Sequence, residues 1–312
     1  MIYNIRKYTV SILLGLLVLF FCTTVQGFAS WSNFFNLLRQ TAVLGIVSSG
    51  MAIVIITGNI DLSVGSVISL SSCIIAVLAS EKGLSPLAAC LIGLAVCVAL
   101  MLLNGIIIVF TGMPAMLCTL AMNYIYQGIA YIITNAVPVY GLPESMRMPG
   151  QGYFGFAPIP VIIMGIAFVV TGLLLKKTYI GRYFYAVGSN EEASTLSGVP
   201  VKRIKLLAYL LCGILVGVAT IVQTSRLFGG FPTAGSGLEM DVIIAVVVGG
   251  VSFSGGKGSI WGVVQGVLLM GVLKNGLGVM GANTYTQLVF SGIVLVVVVG
   301  LDYLNGIRER DR

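Results

Sequence analysis

The feature that most constrains this chain is a succession of apolar segments, each about as long as a lipid bilayer is thick. A helix that crosses the hydrocarbon core needs ~20 apolar residues. Ten segments come close to that length: 8–27, 39–57, 64–80, 85–110, 114–135, 157–175, 204–223, 240–253, 259–276 and 285–301. Lipid offers backbone groups no hydrogen-bond partners, so such segments fold as helices. The sequence therefore predicts an all-α polytopic membrane protein with about ten spans and a single integral domain, residues 1–312.

The composition supports this class and argues against several others. Of the 312 residues, 58% are hydrophobic and 9% are charged. The net charge of +7 is what the excess of Lys and Arg in cytoplasmic loops produces, so no nucleic-acid partner is expected. The chain has no histidine, and its six cysteines show no CxxC spacing. HExxH and GxSxG motifs are absent as well, so we expect no catalytic residues, no metal and no cofactor in this chain.

Two of the ten segments are irregular. Segment 240–253 is short, and segment 64–80 begins in a glycine-containing turn. Either segment can be a broken or partly re-entrant helix. A count of eight spans would place the termini on the same side as ten, so the sequence predicts orientation more firmly than number.

A polar island, residues 176–205, interrupts the apolar segments. Six of its residues are basic, which predicts that it lies in the cytoplasm. With ten spans both termini then lie in the cytoplasm as well, and 12 of the 17 basic residues fall on that side. We therefore expect a multi-pass protein with both ends inside the cell.

Within the island the sequence predicts a short helix. Ser189 or Asn190 can cap it, Glu191 and Glu192 suit its first turn, and Gly198 lies where it should end. Such a helix, isolated on a loop between spans, is a natural docking element for a cytoplasmic protein. A passive surface helix is the alternative.

The stretch TGNIDLSVGS, residues 57–66, places an ionisable side chain between two apolar segments. Asp61 at membrane depth costs ~2.5–3.5 kcal/mol on insertion scales unless partners or water hold it. It can cap the third span together with Ser63, or line a pathway through the membrane. Candidate pathway residues share a polar side chain in or beside a span, and they are Asn59, Asp61, Ser63, Asn104, Asn123, Gln127 and Gln223. These residues suit a neutral polyhydroxyl solute, and they suit hydrogen bonds between helices equally well.

Glycine-rich stretches have simple explanations. VGGVSFSGGKGSIWG, residues 248–262, lacks the glycine at 251 and the Ser or Thr at 258 that a phosphate-binding loop needs, so this chain is not expected to bind ATP. A tight cytoplasmic turn with Ser259 at the next helix start fits better. The pairs Gly213/Gly217 and Gly262/Gly266 permit close helix packing, either inside the protein or at a dimer seam.

Three separated motifs carry a family resemblance. ITGNIDLSVGSV, AVGSNEEASTLSGVPVKRIK and VGGVSFSGGKGSIWGVVQGVLLMGVLKNGL resemble the permease subunits of ribose-, xylose-, arabinose- and galactose-type ABC importers. The resemblance extends from about residue 36 to residue 302. The family usually has GGIDLSVG, so Asn59 replaces a glycine, and it often has AA where this chain has Glu192-Ala193.

The resemblance implies a function and a set of partners. It implies a permease that carries a monosaccharide into the cytoplasm across the bacterial inner membrane, as a homo- or heterodimer, with a fold similar to the vitamin B12-type importer permease. A sugar-binding protein would deliver the substrate from outside, and cytoplasmic ATPase subunits would bind ATP and Mg. The coupling residues implied by the motif are Gly188, Asn190, Glu191, Glu192, Ala193, Gly198 and Val199.

Two other functions stay open at this point. The nearest is a permease for branched-chain amino acids or nucleosides, in a related ABC importer. The other is a secondary transporter driven by an ion gradient, which usually has ionisable residues deep in its spans. Only Asp61, Glu239 and Asp241 come near that requirement.

Overall fold

The structure is a computed structural model and describes residues 2–294 and residue 296, with the backbone alone for residues 2–9. In this part of the chain, almost all regular structure is helical. The helices and strands in chain order are α1 (Ile2–Thr24), α2 (Trp31–Ile56), α3 (Val64–Ala76) with a π-helical continuation (Val77–Glu81), α4 (Pro86–Thr111), α5 (Ala115–Thr134), a 3₁₀ turn (Glu144–Arg147), α6 (Met148–Gln151), β1 (Tyr153–Phe154), β2 (Ala157–Pro158), α7 (Ile159–Lys177), α8 (Tyr179–Ser189), α9 (Glu191–Leu196), α10 (Val201–Leu227), α11 (Leu238–Val248) and α12 (Ile260–Val279). Residues 284–294 are also helical.

Among the described residues, seven helices are long and apolar enough to cross a membrane. They are α2, α3 with its π-helical continuation, α4, α5, α7, α10 and α12. All seven coincide with segments that the sequence predicts as spans. The all-α polytopic fold class is confirmed.

The count of ten spans is not confirmed, and the three remaining segments differ from one another. The first lies largely on α1 (Ile2–Thr24), whose described side chains form an apolar stretch from Val10 to Thr24. The eighth is α11, whose 11 residues extend about 16 Å at ~1.5 Å per residue, roughly half of the hydrocarbon core. The tenth, 285–301, is helical to residue 294, and its residues 295 and 297–301 lie outside the described residues.

The predicted end of the eighth segment is corrected. The sequence predicts helix to residue 253, but α11 ends at Val248. Gly249 and Gly250 follow, and Gly250 has a φ of +83°, a left-handed conformation that an α-helix cannot contain. Residues 249–259 therefore form an irregular loop, and the helix of the eighth segment is broken at Gly249.

The centre of the bundle is formed by α2 and α10. Every residue of α2 from Thr41 to Ile56 is buried. α10 packs closely against α4, because a Cβ atom added at Gly213 would lie 3.0 Å from Val98 Cα and one added at Gly217 would lie 3.1 Å from Leu94 Cα. The first glycine pair thus serves packing inside the protein.

The second glycine pair serves the same purpose between α11 and α12. Added Cβ atoms at Gly262 and Gly266 would overlap the carbonyl oxygens of Gly249 and Ala245. The short α11 is held against α12 by this close approach of two backbones.

The outer surface of the bundle is apolar. Large exposed hydrophobic side chains on α4, α5 and α7 include Leu87, Phe110, Leu117, Ile132 and Val169. In water such a surface would promote aggregation, whereas in lipid it is the expected one. The protein is an integral membrane protein.

The connection between α5 and α7 is folded against the bundle. It contains the 3₁₀ turn, α6 and the β1–β2 hairpin, in which Tyr153 pairs with Pro158 and Phe154 with Ala157. The Gly150 N–H donates to Ser225 Oγ at 2.7 Å. These contacts hold the connection against α10.

Candidate functional site

The predicted short helix of the polar island is present as α9. Asn190 is its N-cap, and the Asn190 side chain accepts from the Ala193 N–H at 2.8 Å. Glu191 and Glu192 occupy the first turn, where their negative charges interact favourably with the helix dipole. Ser189 instead ends α8, a helix that the sequence analysis did not predict.

The end of α9 depends on Gly198. Its φ of +79° is left-handed, and the N–H groups of Gly198 and Val199 donate to Thr195 O and Ser194 O, both at 3.0 Å. This arrangement satisfies the last carbonyls of the helix and turns the chain toward α10.

The surface of α9 combines an apolar tip with acidic residues. Leu196 is 90% exposed, and Glu192 and Ala193 are exposed as well. Glu191 pairs with Lys205 of α10, with Glu191 Oε2 and Lys205 Nζ 2.6 Å apart. The ion pair ties the start of α9 to the bundle and leaves the opposite side of the helix exposed.

Gly188 lies in a crowded place that we call the glycine junction, formed by Gly58, Gly188, Gly255 and Gly256. A Cβ atom at Gly188 would overlap Ile56 O and approach Gly256 N at 2.7 Å. The Gly256 N–H also donates to Ile56 O at 2.9 Å. The junction thus brings together the end of α2, the end of α8 and the 249–259 loop by backbone contact.

Asp61 lies just after the glycine junction and is completely buried. Its Oδ1 accepts from the Ser63 N–H at 2.7 Å and from Ser63 Oγ at 2.6 Å. Its Oδ2 accepts from Asn104 Nδ2 at 3.0 Å. Three donors thus replace the water that the carboxyl group has lost.

Tyr126 extends this cluster, and the sequence analysis did not select it. The Tyr126 hydroxyl donates to Asn104 Oδ1 at 2.8 Å. Thr119, which lies earlier on α5, accepts from the Leu62 N–H at 3.0 Å. No sequence signal distinguishes these two residues, because Tyr and Thr are common in apolar spans and only packing brings α5 against the 57–63 turn.

Three of the seven candidate pathway residues therefore form one cluster: Asp61, Ser63 and Asn104. Asn59 is two residues away and lines a cavity of about 510 Å³ together with Glu191, Lys202 and Lys205. Ser63 is the N-cap of α3, but its side chain makes no capping hydrogen bond; Asp61 accepts from the Ser63 N–H and holds the turn that leads into the helix. The pathway role of these residues stays a prediction.

The other candidates lie elsewhere. Gln127 donates to Pro232 O at 2.6 Å, and Gln223 donates to Ala234 O at 3.1 Å. Both reach the 229–237 loop, at the end of the bundle away from α9. Asn123 is half-buried on α5.

Ser259 caps α12 as the sequence predicts. Its hydroxyl accepts from the Gly262 N–H at 3.2 Å. The 249–259 loop thus leads into α12, and two of its glycines, Gly255 and Gly256, belong to the glycine junction.

Taken together, an apolar helical bundle, a half-length helix, a buried polar cluster and a short exposed helix at one end are the features of a membrane permease. The chain belongs to the family described as "Branched-chain amino acid transport system / permease component", which matches residues 33–299.

Curated relatives are similar over nearly the whole chain. The ribose import permease protein RbsC of Bacillus subtilis is 41% identical over 293 residues, which cover 93% of this chain and 91% of the relative. The ribose import permease protein RbsC of Escherichia coli is 40% identical, with 93% and 92% covered. The D-allose transport system permease protein AlsC of Escherichia coli is 34% identical, with 96% and 92% covered. No solved structure matches the chain.

Proposed function

We propose that this chain is the membrane-spanning subunit of an ATP-driven importer that carries a monosaccharide of the ribose type into the bacterial cytoplasm. The observation that carries the proposal is the identity of about 40% with ribose import permeases over more than 90% of both chains. The D-allose relative extends the same chemistry to a second sugar. These relatives favour a sugar over the amino acid in the family description.

The geometry of α9 supports coupling to a separate ATPase. A helix of six residues is too short to be stable alone, yet α9 is capped, ion-paired and presented with Leu196 almost fully exposed. An exposed leucine surrounded by polar residues has the arrangement of an interface, an apolar centre with a polar rim. Movement imposed on α9 would reach the 57–63 turn through the glycine junction.

The remaining partners follow from the same proposal. A sugar-binding protein delivers the substrate to the face opposite α9, a second permease copy or a sister subunit completes the pathway, and ATP and Mg bind to the ATPase. ATP hydrolysis takes place in that partner, so this chain is a transport subunit and has no catalytic residues. With the polar island in the cytoplasm, both termini lie there too.

Co-purification tests the proposal. The tagged protein in mild detergent is expected to retain an ATPase subunit that has nucleotide-binding motifs, identified by mass spectrometry. The double variant Glu191→Lys with Glu192→Lys should lose this subunit, because it breaks the Glu191–Lys205 ion pair that ties α9 to the bundle and reverses the charge of the exposed Glu192. Glu144→Lys, an exposed glutamate on the connection between α5 and α7, is the matched control and should retain it.

Transport in proteoliposomes separates the energy sources. Ribose uptake that requires ATP and resists an uncoupler supports the importer. Uptake by the lone chain that collapses with an uncoupler would contradict it and favour a secondary transporter.

A further inference from the structure

Helix α8 lies across the ends of two neighbouring spans, α7 and α2. A Cβ atom added at Gly181 would overlap the carbonyl oxygen of Leu174, although these residues would be ~10 Å apart along a continuous helix. The chain therefore turns sharply between α7 and α8. At the other end of α8, Gly188 packs against Ile56 O, where α2 ends. The seven residues between the two glycines extend ~10 Å, the usual distance between packed helices, so α8 runs along the end surface of the bundle.

One side of α7 faces lipid and ends in two lysines. Val169, Val170 and Leu173 are exposed on this side. Lys176 and Lys177 follow Leu173 by three and four residues, and both are exposed. Residues three and four apart lie on the same side of a helix. The lysines therefore continue the lipid-facing side of α7 to the level where hydrocarbon gives way to headgroups.

The first half of α8 adds an arginine and two tyrosines beside these lysines. Tyr179, Arg182 and Tyr183 are exposed, whereas Gly181 and Phe184 are buried against the bundle. The two tyrosine rings pack edge to face, with their centroids 6.1 Å apart. Tyrosine is enriched at membrane–water interfaces, because its ring is apolar and its hydroxyl is polar. The basic-tyrosine patch, as we call this surface, consists of Lys176, Lys177, Tyr179, Arg182 and Tyr183.

The positive charge of the patch is not balanced within the described part of the chain. No Asp or Glu occurs between Glu144 and Glu191 in the sequence, and Glu191 pairs with Lys205. Among the described residues, none forms an ion pair with the three basic residues of the patch. The dipole of α7 favours lysines in its last turn, but it does not account for Arg182 or for the tyrosines. Phosphate groups at a membrane surface can balance all three charges.

We propose that the basic-tyrosine patch binds the headgroups of anionic phospholipids in the leaflet on the side of α9. Phosphate oxygens accept hydrogen bonds from the lysine and arginine side chains, and the acyl chains continue along the exposed side of α7. A bound lipid holds the first half of α8, whose other end leads directly into α9. The proposal goes beyond the proposed function and does not depend on which solute is carried.

Lipid titration of the purified chain tests the patch. The full chain in detergent is mixed with phosphatidylglycerol, which is anionic, or with phosphatidylcholine, which has no net charge. A lipid that binds the folded state raises the thermal midpoint, and phosphatidylglycerol should raise that of the wild type more. Lys177→Gln with Arg182→Gln should weaken phosphatidylglycerol binding about twenty-five-fold, because each basic residue at a membrane surface contributes about fivefold. The effect of phosphatidylcholine should stay the same.

Two further double variants separate a site from general charge and from misfolding. Lys202→Gln with Arg203→Gln removes the same charge from exposed residues of α10 and should bind phosphatidylglycerol as the wild type does. Lys177→Arg with Arg182→Lys keeps the charge of the patch and should retain binding. Equal losses in the two glutamine variants, or equal effects of the two lipids on the wild type, would overturn the assignment.

Co-purification distinguishes a lipid from a protein on this surface. The variant Lys177→Gln with Arg182→Gln should retain the ATPase subunit. If it loses that subunit and still binds phosphatidylglycerol as tightly as the wild type, the patch docks a protein and the lipid assignment is wrong.

Discussion

At the scale of single residues, Asp61 illustrates how this protein tolerates an acidic group among apolar helices. Its two oxygens receive three hydrogen bonds, from Ser63 twice and from Asn104 once. Asn104 is held in turn by Tyr126. Each member of the chain orients the next, so the cost of burial is offset only when all of them are present.

Replacement of Asn104 tests this dependence. Asn104→Leu leaves Asp61 Oδ2 without its donor and the Tyr126 hydroxyl without one acceptor, so it should reduce stability by about 1–3 kcal/mol. The thermal midpoint of the purified protein in detergent is the measurement. Asn123→Leu on the half-buried face of α5 is the control. Equal midpoints for the two variants would mean that the cluster contributes little to stability.

At the scale of helices and loops, the glycine junction lies between α9 and the Asp61 turn. Gly188 is close-packed against Ile56 and Gly256, whereas Gly198 is required for its backbone conformation, with nothing within 4 Å of an added Cβ. Both glycines belong to the predicted coupling motif. They serve different physical purposes.

Alanine substitution should separate the two purposes. Gly198→Ala strains one turn by ~1–2 kcal/mol, and we expect a moderate loss of uptake. Gly188→Ala would force three backbone segments apart, and we expect it to abolish ATP-driven uptake. The measurements are ribose uptake and ATP hydrolysis in the same proteoliposomes, and hydrolysis without uptake indicates lost coupling.

Gly165→Ala is the matched control for this comparison. Gly165 lies in α7 with nothing within 4 Å of an added Cβ, so this variant should behave as the wild type. If Gly188→Ala couples hydrolysis to uptake as well as Gly165→Ala does, then force does not pass through the junction.

At the scale of the whole molecule, the two ends of the bundle have different characters. One end carries the polar island with α8 and α9, and the other carries the folded connection between α5 and α7. The excess of basic residues in the island predicts that its end faces the cytoplasm.

Site-directed labelling tests this orientation. In a variant whose six cysteines are replaced by alanine, we introduce Phe156→Cys or Leu196→Cys, at side chains that are 85% and 90% exposed. A membrane-impermeant maleimide should label position 156 on intact cells, and position 196 only after permeabilisation. The reverse pattern would invert the topology.

Much of the site's local structure was predictable from sequence. The cap at Asn190, the acidic first turn of α9, the stop at Gly198 and the cap at Ser259 depend on interactions within a few residues. The end of α11 was predicted less well. Gly249 and Gly250 lie in an apolar segment, and whether they end the helix there depends on how closely α11 packs against α12. The cavity and the role of Tyr126 were not predictable at all.

The sequence by itself determined the membrane-spanning segments, the polar island and the caps, because these follow from hydrophobicity and from contacts between near neighbours in the chain. Only the tertiary structure decided which polar residues meet. Asp61 bonds to Asn104 across 43 positions, and Asn33 bonds to Asn275 across 242. Such pairs depend on how rigid helices pack and on which backbones glycine allows to touch.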